Sequence, residues 1–376
     1  GTNGKTTVSY ILEHILHQAG KKVGVVVPIA YRWPGMTREA GLTTPGCLQM
    51  HELLSFMAAA DVDVVCMEVS SHGLDQGRVA GLRFDVAGFT NLTQDHLDYH
   101  QDMETYFQSK MKLFCPQGQI GPAGVINVDD PYGRRLFTRL DRALGFSLDG
   151  FGDDQSLQGR ITSLGRHGLE LESRYQGQGW TVQSRMIGRH NGSNILAAQA
   201  LALELGIDPG VFAGIRDFAG VPGRLERIVN SRGLHVFVDY AHTPDALENV
   251  LWSVRGLGFN RVVVLFGCGG DRDRAKRPQM GTAVTRHADL GILTSDNPRH
   301  EDPWSIIEDV RPGLLPGAEV IEEVDRRRGI ELGLDVLGPE DILIVAGKGH
   351  ENTQQIGDER IPFSDVQVVR ELLGER

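Results

Sequence analysis

The sequence is poor in cysteine and has no long apolar run. Its four cysteines, Cys47, Cys66, Cys115 and Cys268, are scattered and form no Cys-x-x-Cys pair. A disulfide framework is therefore not indicated, and a reducing compartment is expected. No stretch approaches the roughly 18 consecutive apolar residues that cross a bilayer, and no signal peptide is visible. These absences predict a cytoplasmic protein with no membrane partner.

Basic residues are also in short supply. The 376 residues include 38 Lys and Arg against 49 Asp and Glu, which gives a formal net charge of −11. Nonspecific nucleic-acid binding needs a basic footprint, so we expect no nucleic-acid partner. Small anionic substrates stay open, because a few local Arg and Lys can hold them. With 40% apolar and 23% charged residues, the composition is typical of a soluble enzyme of two or three domains.

The first part of the chain alternates buried-strand and helical patterns, which is typical of a mostly parallel α/β sheet covered on both faces. Strands are predicted at residues 22–27, 62–67, 84–89, 125–128 and 143–146. Helices are predicted at residues 8–19, 46–60, 103–114 and 191–205. Between residues 159 and 186 polar and apolar residues alternate, which predicts an antiparallel appendage of short strands.

Gly and Pro cluster at residues 220–223, and the α/β rhythm restarts beyond them. Strands are predicted at residues 234–238, 261–266, 290–294 and 341–346. Helices are predicted at residues 244–255, 278–287, 304–310 and 325–334. We therefore predict two α/β domains, at residues 1–222 and 223–376.

The chain opens with a glycine-rich loop, Gly1-Thr2-Asn3-Gly4-Lys5-Thr6-Thr7, in front of a predicted helix. Gly4 lets the backbone turn so that its N–H groups point at phosphate oxygens. Lys5 places a charge on the β- and γ-phosphates, and the Thr6 hydroxyl ligates Mg²⁺. The positive end of the helix points at the same anion. The pattern predicts ATP binding and phosphoryl transfer, with a chance glycine turn as the alternative for so short a motif.

Three further side chains suit a metal and phosphate site. Glu68 ends the most apolar strand predicted in the first domain, at the edge where α/β proteins place their ligands, and could hold Mg²⁺. His96 lies between Asp95 and Asp98 after the next strand, which makes a candidate second metal shell. Lys110 follows on a helix, where its pattern alone favours an ordinary solvated lysine. A solvated strand-end carboxylate is likewise the alternative for Glu68.

Several motifs, in order along the whole chain, resemble the Mur ligases of bacterial cell-wall synthesis. They are the opening loop, Glu68-Val69-Ser70-Ser71-His72-Gly73-Leu74, Asn91-Leu92 with Asp95-His96-Leu97-Asp98, and Asp239-Tyr240-Ala241-His242-Thr243-Pro244. Two more narrow the resemblance to the members that add the third peptide residue: Phe266-Gly267-Cys268-Gly269-Gly270-Asp271-Arg272-Asp273 and Ala346-Gly347-Lys348-Gly349-His350-Glu351. Asp296-Asn297-Pro298-Arg299 is similar to the form that selects meso-diaminopimelate rather than lysine.

The resemblance implies a P-loop central domain with a mostly parallel sheet and a Rossmann-like α/β C-terminal domain. It implies a first Mg²⁺ shell from Thr6 and Glu68 and a ligand of a second Mg²⁺ from His96. Lys110 matches the family's carbamylated lysine, in which CO₂ turns a cation into an anion beside Mg²⁺ and phosphate. The implied catalytic residues are Lys5, His96 and Lys110. Contacts to a UDP-muramoyl-dipeptide are implied for Thr43, Thr44, Ser70, Gln76 and Arg78, and contacts to ATP for Asn191 and Asn194.

In the second domain the resemblance implies ATP contacts from Arg224, Asp239 and His242. Arg299 can hold the far carboxylate of diaminopimelate in a bidentate fork, and Glu351 can receive its ammonium. Lysine lacks that carboxylate and would leave Arg299 unpaired. The full set implied for diaminopimelate is Arg272, Asp296, Asn297, Pro298, Arg299, Gly347 and Glu351.

The reaction implied by the resemblance is ATP-dependent amide formation through an acyl phosphate. Lys5, two Mg²⁺ ions and His242 would offset the charge on the transferred phosphoryl group. Closure of the second domain over the first, hinged at residues 220–223, would keep water from the acyl phosphate. We expect a monomer that acts on small-molecule substrates.

Two alternatives stay open at this stage. One is a related ligase whose acceptor is lysine or a folate-linked glutamate. The other is a binding fragment without catalysis, because the family's full-length enzymes carry an additional N-terminal domain and this sequence starts at Gly1.

Overall fold

The computed structural model describes residues 1–116, 120–148, 150 and 156–375; the side chains of Leu97 and Asp98 lie outside the described residues. The chain divides into two compact units, Gly1–Ala219 (unit 1) and Gly220–Arg376 (unit 2). The predicted boundary follows residue 222. In the described part of the chain, no helix is both long and apolar enough to span a membrane.

Unit 1 alternates helices and strands as predicted. Its helices are α1 (Lys5–Gln18), α2 (Cys47–Ala59), α3 (Ser71–Asp75), α4 (Leu97–His100), α5 (Met103–Met111), α6 (Pro131–Phe137) and α7 (Arg189–Glu204), and a 3₁₀ helix spans Pro209–Asp217. Its strands are β1 (Val23–Val26), β2 (Ala30–Trp33), β3 (Met36–Glu39), β4 (Val64–Met67), β5 (Val86–Phe89), β6 (Ala123–Asn127), β7 (Ala143–Ser147), β8 (Leu157–Gly165), β9 (Gly168–Tyr175) and β10 (Gln178–Ser184).

The strands of unit 1 form two sheets. One has the order β3-β2-β1-β4, in which β1 and β4 run parallel. The other has the order β10-β9-β8-β7-β6-β5, parallel from β5 to β8 and antiparallel from β8 to β10. Helix α1 packs on β1 and β4, α7 packs on β5 to β8, and the two helices contact each other. The predicted α/β class and the antiparallel appendage are confirmed.

A cavity of about 490 Å³, lined by both apolar and charged residues, lies between β4 and β5, which are the terminal strands of their sheets in the described residues. Its walls include Val65 and Met67 of β4 and Ala87 and Phe89 of β5. Glu68, directly after β4, lines the same cavity. The carboxyl ends of the parallel strands therefore meet the loop that precedes α1, at the edge where such sheets bind ligands.

Unit 2 also alternates strands and helices. Its strands are β11 (Glu226–Ile228), β12 (His235–Asp239), β13 (Val262–Phe266), β14 (Leu290–Leu293), β15 (Val320–Glu322), β16 (Ile342–Ala346), β17 (Thr353–Ile356) and β18 (Glu359–Pro362). Its helices are α8 (Pro244–Arg255), α9 (Lys276–His287), α10 (Pro303–Val310), α11 (Arg326–Asp335) and α12 (Asp365–Leu373), and a short 3₁₀ helix spans Arg311–Gly313.

The main sheet of unit 2 has the order β11-β12-β16-β13-β14-β15, and all neighbours except β11 and β12 pair in parallel. Strands β12, β13 and β16 are buried along their whole length, as expected of strands covered by helices on both faces. Helix starts are fixed by side-chain caps: Thr243 accepts from the Ala246 N–H at 3.3 Å, and Asp325 accepts from the Arg328 N–H at 3.1 Å.

Candidate active site

The glycine-rich loop is held against the end of β5. The Thr2 N–H donates to the Asn91 carbonyl at 2.8 Å, and the Asn3 N–H donates to Oδ1 of Asn91 at 2.8 Å. Nζ of Lys5 donates to the Thr2 carbonyl at 2.8 Å, across the loop. Helix α1 begins at Lys5, not at residue 8 as predicted from its apolar pattern. Lys5 and Thr6 therefore lie in the first helical turn, where backbone N–H groups favour an anion.

Gly4 is the residue that makes this turn. Its φ of 82° is left-handed, and a Cβ at this position would lie 2.3 Å from Oδ1 of Asn194. Asn194 is itself oriented by a hydrogen bond from its Nδ2 to Oδ1 of Asn191 at 3.1 Å, and Asn191 donates to the Ile187 carbonyl at 2.8 Å. Helix α7 thus places both predicted ATP-binding asparagines beside the loop.

Lys110 is buried, so the solvated lysine favoured by its helical pattern is wrong. Its side chain is 6% exposed, Nζ donates to the Gly1 carbonyl at 3.1 Å, and Nζ lies 4.3 Å from the centre of the Tyr106 ring. Burial, followed by the charge of Lys5, holds the pKa of Lys110 well below its usual value, although Asp95 opposes this shift. Gly1, Lys5, Glu68 and Lys110 all line the cavity between β4 and β5.

The residues predicted to hold Mg²⁺ are only partly suited to it as they stand. Thr6 and Glu68 supply oxygen atoms, and Glu68 is 3% exposed, so a solvated carboxylate is wrong for it. Among the described residues, no group of three or more His, Cys, Asp or Glu is arranged to hold a metal ion. The amine of Lys110 cannot bind a cation while protonated, whereas a carbamate there would add oxygen ligands.

The backbone of His96 is left-handed, with a φ of 55°. This conformation is uncommon outside glycine, and residues that adopt it cluster at functional sites. The ring centre of His96 lies 4.9 Å from that of His72, and Nδ1 lies 3.4 Å from Oδ1 of Asp95. Burial lowers the pKa of His96 most strongly, and the charges of Lys5 and Lys110 lower it further, although Asp95 opposes this shift. The predicted third member of this group, Asp98, lies outside the described side chains.

The residues predicted to contact the UDP-muramoyl-dipeptide form a connected group after β4. Oγ1 of Thr44 donates to the Glu68 carbonyl at 3.1 Å and accepts from the Ser70 N–H at 2.9 Å. Arg78 donates to the Thr44 carbonyl at 3.0 Å and to Oε1 of Gln76 at 2.6 Å. Thr43 precedes Thr44 and is half-buried. The structure therefore connects Thr44, which is itself fully buried, to the segment after β4 that carries Ser70 and Arg78.

In unit 2, Asp239 is buried at the end of β12. Its carboxylate accepts from the Leu225 N–H at 2.6 Å and the Ala241 N–H at 2.8 Å. Burial raises the pKa of Asp239, against the effect of Arg224 and these two bonds. The Arg224 guanidinium lies 4.7 Å from the centre of the Tyr240 ring, and His242 is exposed with Nδ1 2.7 Å from the Tyr240 carbonyl.

The segment after β14 carries the residues predicted to select the amino acid. Arg299 has a left-handed φ of 52°, and its Nη1 donates to the Gly270 carbonyl at 2.6 Å. Its backbone pairs with the β17–β18 hairpin: its N–H donates to the Gln355 carbonyl at 3.1 Å, and its carbonyl accepts from the Gly357 N–H at 2.7 Å. The Pro298 carbonyl packs on Gly270. Arg299 is half-buried.

Asp296 and Gly347 face each other at the ends of β14 and β16. Gly347 has a φ of 117°, and a Cβ there would lie 2.7 Å from Oδ2 of Asp296. Burial raises the pKa of Asp296, and the charges of Arg326 and Lys348 oppose that rise. Nδ2 of Asn297 donates to Oε2 of Glu351 at 3.0 Å. Arg272 is exposed on the loop after β13.

Two residues that the structure connects to these sites, Lys348 in unit 2 and His72 in unit 1, were not predicted from the sequence. Lys348 is fully buried and contacts both Asn297 and Glu351 at 3.0 Å. Its position between two glycines, three residues before Glu351 and two residues after a buried strand, was the available signal. His72 was quoted only within a motif, yet its ring contacts those of His96, Tyr99 and His100.

Comparison with known proteins agrees with these motifs. The Mur ligase middle domain matches residues 1–202, and the Mur ligase, glutamate ligase domain matches residues 223–349. A UDP-N-acetylmuramoyl-L-alanyl-D-glutamate–2,6-diaminopimelate ligase from Lawsonia intracellularis (strain PHE/MN1-00) is 49% identical over 376 residues, which is 100% of this chain and 78% of that protein. The protein of the same name from Gloeobacter violaceus (strain ATCC 29082 / PCC 7421) is 45% identical over 378 residues, covering 100% and 76%.

A solved structure with that name superposes with a TM-score of 0.72 at 34% identity and covers 100% of this chain and 77% of its own. These matches extend over both units and confirm the predicted family. The chain belongs to the Mur ligase family.

Proposed function

We propose that this chain is an ATP-dependent ligase that joins meso-diaminopimelate to UDP-N-acetylmuramoyl-L-alanyl-D-glutamate, with release of ADP and phosphate. The observation that carries the proposal is the pair of joined loops that follow β14 and β16 in unit 2. Asn297 and Arg299 lie on the first loop, and Nδ2 of Asn297 donates to Oε2 of Glu351 on the second at 3.0 Å. A cation and an anion on joined loops suit an amino acid that ends in both a carboxylate and an ammonium. The names of the relatives support the same choice.

The first half of the reaction belongs to unit 1. A carboxylate of the dipeptide attacks the γ-phosphorus of ATP, the bond from that phosphorus to the bridging oxygen breaks, and ADP leaves. The loop N–H groups and Lys5 would hold the phosphate oxygens, whose charge shifts during the transfer. The hydroxyls and the Arg78 guanidinium after β4 would hold the anionic sugar nucleotide.

Divalent Mg²⁺ would neutralise phosphate charge in that step when bound. Thr6 and Glu68 are the oxygen donors suited to it, and His96 is the further ligand proposed. The two ions implied by the family resemblance are part of this proposal, as is a cytoplasmic location.

Carbamylation of Lys110 completes the proposed set. A neutral amine adds to CO₂ and forms a carbamate with loss of one proton, and the lowered pKa of Lys110 favours the neutral amine. With ¹³C-labelled bicarbonate, we expect a carbamate resonance in the wild-type spectrum that Lys110→Met lacks. A spectrum in which both proteins look alike would rule the modification out.

The second half of the reaction uses the amino acid. Its neutral amine attacks the acyl carbon, the nitrogen loses one proton to solvent, and the tetrahedral intermediate collapses. Phosphate leaves with the acyl oxygen that it carried. Arg299 would bind the distant carboxylate and Glu351 the distant ammonium, so that the reacting amine is presented in one orientation.

Replacing Arg299 by Ala tests the assignment. We expect the KM for diaminopimelate to rise about a hundredfold, as for the loss of a bidentate charged contact, while the KM for ATP changes by less than about twofold. Arg311→Ala is the control, because this exposed arginine pairs with Glu322 at 2.7 Å and is not among the residues proposed to bind diaminopimelate. Equal loss of both affinities would contradict the specificity assignment.

Three other results would redirect the proposal. Strong turnover of lysine with none of diaminopimelate would favour a lysine-adding ligase. Turnover of glutamate on a folate would favour the folate-linked reaction. Tight binding of Mg-ATP by titration calorimetry without any turnover would favour a binding role.

A further inference from the structure

Lys348 is buried although lysine normally carries a charge. Its side chain is 0% exposed, and it lies two residues after the end of β16. A lysine is almost never fully buried unless its ammonium is paired, because its lost hydration must be replaced. The groups that replace that hydration therefore indicate what Lys348 holds in place.

The ammonium of Lys348 joins side chains from two separate loops. Nζ donates to Oδ1 of Asn297 at 3.0 Å and to Oε2 of Glu351 at 3.0 Å. Nδ2 of Asn297 donates to the same Glu351 oxygen at 3.0 Å, which closes a triangle of side chains. Asn297 follows β14 and Glu351 follows β16, and β13 lies between these strands in the sheet. Lys348 thus connects loops that the sheet does not place side by side.

The triangle also fixes the orientation of the Asn297 amide. Oδ1 accepts from Lys348 and from the Gln355 N–H, the latter at 2.9 Å. A flipped amide would turn its NH₂ group against both donors. Nδ2 is therefore directed at Glu351, and Oε2 of Glu351 is committed to Asn297 and Lys348.

The second oxygen of Glu351 faces a different environment. The Glu351 side chain is 34% exposed, and Oε1 takes part in none of the hydrogen bonds found among the described residues. Burial alone would raise the pKa of Glu351, but the Lys348 ammonium and the two hydrogen bonds outweigh it and lower the pKa. The loop after β16 therefore presents a fixed carboxylate with one oxygen open.

We infer that Lys348 is a positioning residue for the acceptor amino acid, because it holds Asn297 and Glu351 so that Oε1 of Glu351 receives the ammonium at the far end of a diamino acid. The inference rests on the proposed function, since it takes a diamino dicarboxylate as the acceptor. Lys348 itself does not touch the substrate. Its effect is to keep the anion in place before the ligand arrives, which reduces the cost of binding.

Titration calorimetry on the full chain tests this with two ligands. One is meso-diaminopimelate; the other is 2-aminopimelate, which keeps both carboxylates and one amine but lacks the second ammonium. Wild type should bind diaminopimelate about tenfold more tightly, as expected for one charge-assisted contact. Lys348→Met should bind the two ligands with about equal affinity, while its affinity for 2-aminopimelate stays within about twofold of the wild-type value.

Two further variants separate positioning from general damage. Leu343→Ala removes a fully buried side chain from β16 without touching the triangle, so it should lower the melting temperature and keep the tenfold ratio. Lys348→Arg retains the charge and serves if the methionine variant does not fold. It should reduce the ratio, because the longer, planar group cannot keep both 3.0 Å contacts.

Each outcome has one meaning. An unchanged ratio in Lys348→Met, or in Lys348→Arg if only that variant folds, overturns the inference. So does tighter diaminopimelate binding by Lys348→Met, which would show that the Lys348 charge repels the ligand. Wild type that binds neither amino acid contradicts the proposed function and not the role of Lys348.

Discussion

Each unit has one buried lysine at its proposed site, Lys110 in unit 1 and Lys348 in unit 2, and the surroundings of the two ammonium groups differ. In unit 2, the Lys348 ammonium has a carboxylate and an amide oxygen at 3.0 Å each. In unit 1, the Lys110 amine contacts the Gly1 carbonyl at 3.1 Å and the Tyr106 ring. Among the side chains that the structure describes, no carboxylate lies within ion-pair distance of Lys110. Instead, the charge of Lys5 adds to the effect of burial and lowers its pKa.

The difference separates a lysine whose charge is neutralised by a neighbouring carboxylate from one whose site needs a ligand to supply negative charge. In unit 2, Glu351 neutralises Lys348 and keeps one carboxylate oxygen open. Unit 1 gathers positive groups around the loop and the first turn of α1, where phosphate or a carbamate would neutralise them. We therefore expect unit 1 to gain more stability from its ligand than unit 2 gains from its own.

Gly4 offers the largest test of this contrast, because the unit 1 site depends on the backbone of one loop. Gly4 and Gly20 are both left-handed, with φ of 82° and 74°, but only at Gly4 would a Cβ meet a neighbour, Oδ1 of Asn194 at 2.3 Å. Gly4→Ala should weaken Mg-ATP binding by about a hundredfold or more, because the clash adds to the left-handed strain and moves the loop. Titration calorimetry measures this directly.

Gly20→Ala is the matched control. An alanine methyl at this position would have no heavy atom within 4 Å, so only strain remains. This variant should lose about 1 kcal/mol of stability and keep its ATP affinity. Equal ATP affinities in the two variants would show that the geometry of the loop does not govern phosphate binding.

The parallel strands could be predicted because strands buried on both faces are runs of apolar residues. Strands such as β13 and β16 are entirely apolar and consist mostly of Val, Leu and Ile. The residues that follow such parallel strands lie at the ligand-binding edge of the sheet. The positions of Glu68, Asp239 and Asp296 follow from that rule. The hairpins β2–β3 and β17–β18 could not be found this way, because β3 and β18 are exposed along their length.

The environments of Lys110 and Lys348 could not be predicted from the residues next to them in sequence. The carbonyl that accepts from Lys110 is 109 residues away in sequence, and the Asn297 oxygen that accepts from Lys348 is 51 residues away. Neither partner leaves a periodic signal near the lysine. Family resemblance identified Lys110 as functional, whereas the only local signal for Lys348 was its position between two glycines after a buried strand.

Methionine substitutions test how Lys110 and Lys348 each affect the free energy of unfolding. Lys348→Met should lower the free energy of unfolding by about 2 kcal/mol, because it leaves Glu351 without its cation. Lys110→Met should leave it unchanged or raise it by about 1 kcal/mol, because it removes a buried amine beside Lys5. Denaturant unfolding without nucleotide gives both values. A loss in Lys110→Met as large as that in Lys348→Met would contradict the contrast.

The pH dependence of the Lys110→Met effect is the smallest and most specific consequence. The folded pKa of Lys110 lies below the ordinary lysine value of 10.5, so between these two values the unfolded chain binds more protons than the folded one. Wild-type stability should therefore rise with pH over this interval, and the penalty for burying Lys110 is complete below the folded pKa. Since methionine cannot titrate, the advantage of Lys110→Met should be greatest at low pH and shrink as pH approaches 10.5. Unfolding measured across this range in CO₂-depleted buffer, to prevent carbamate formation, decides it: a difference that stays constant with pH would mean that the amine keeps its ordinary pKa.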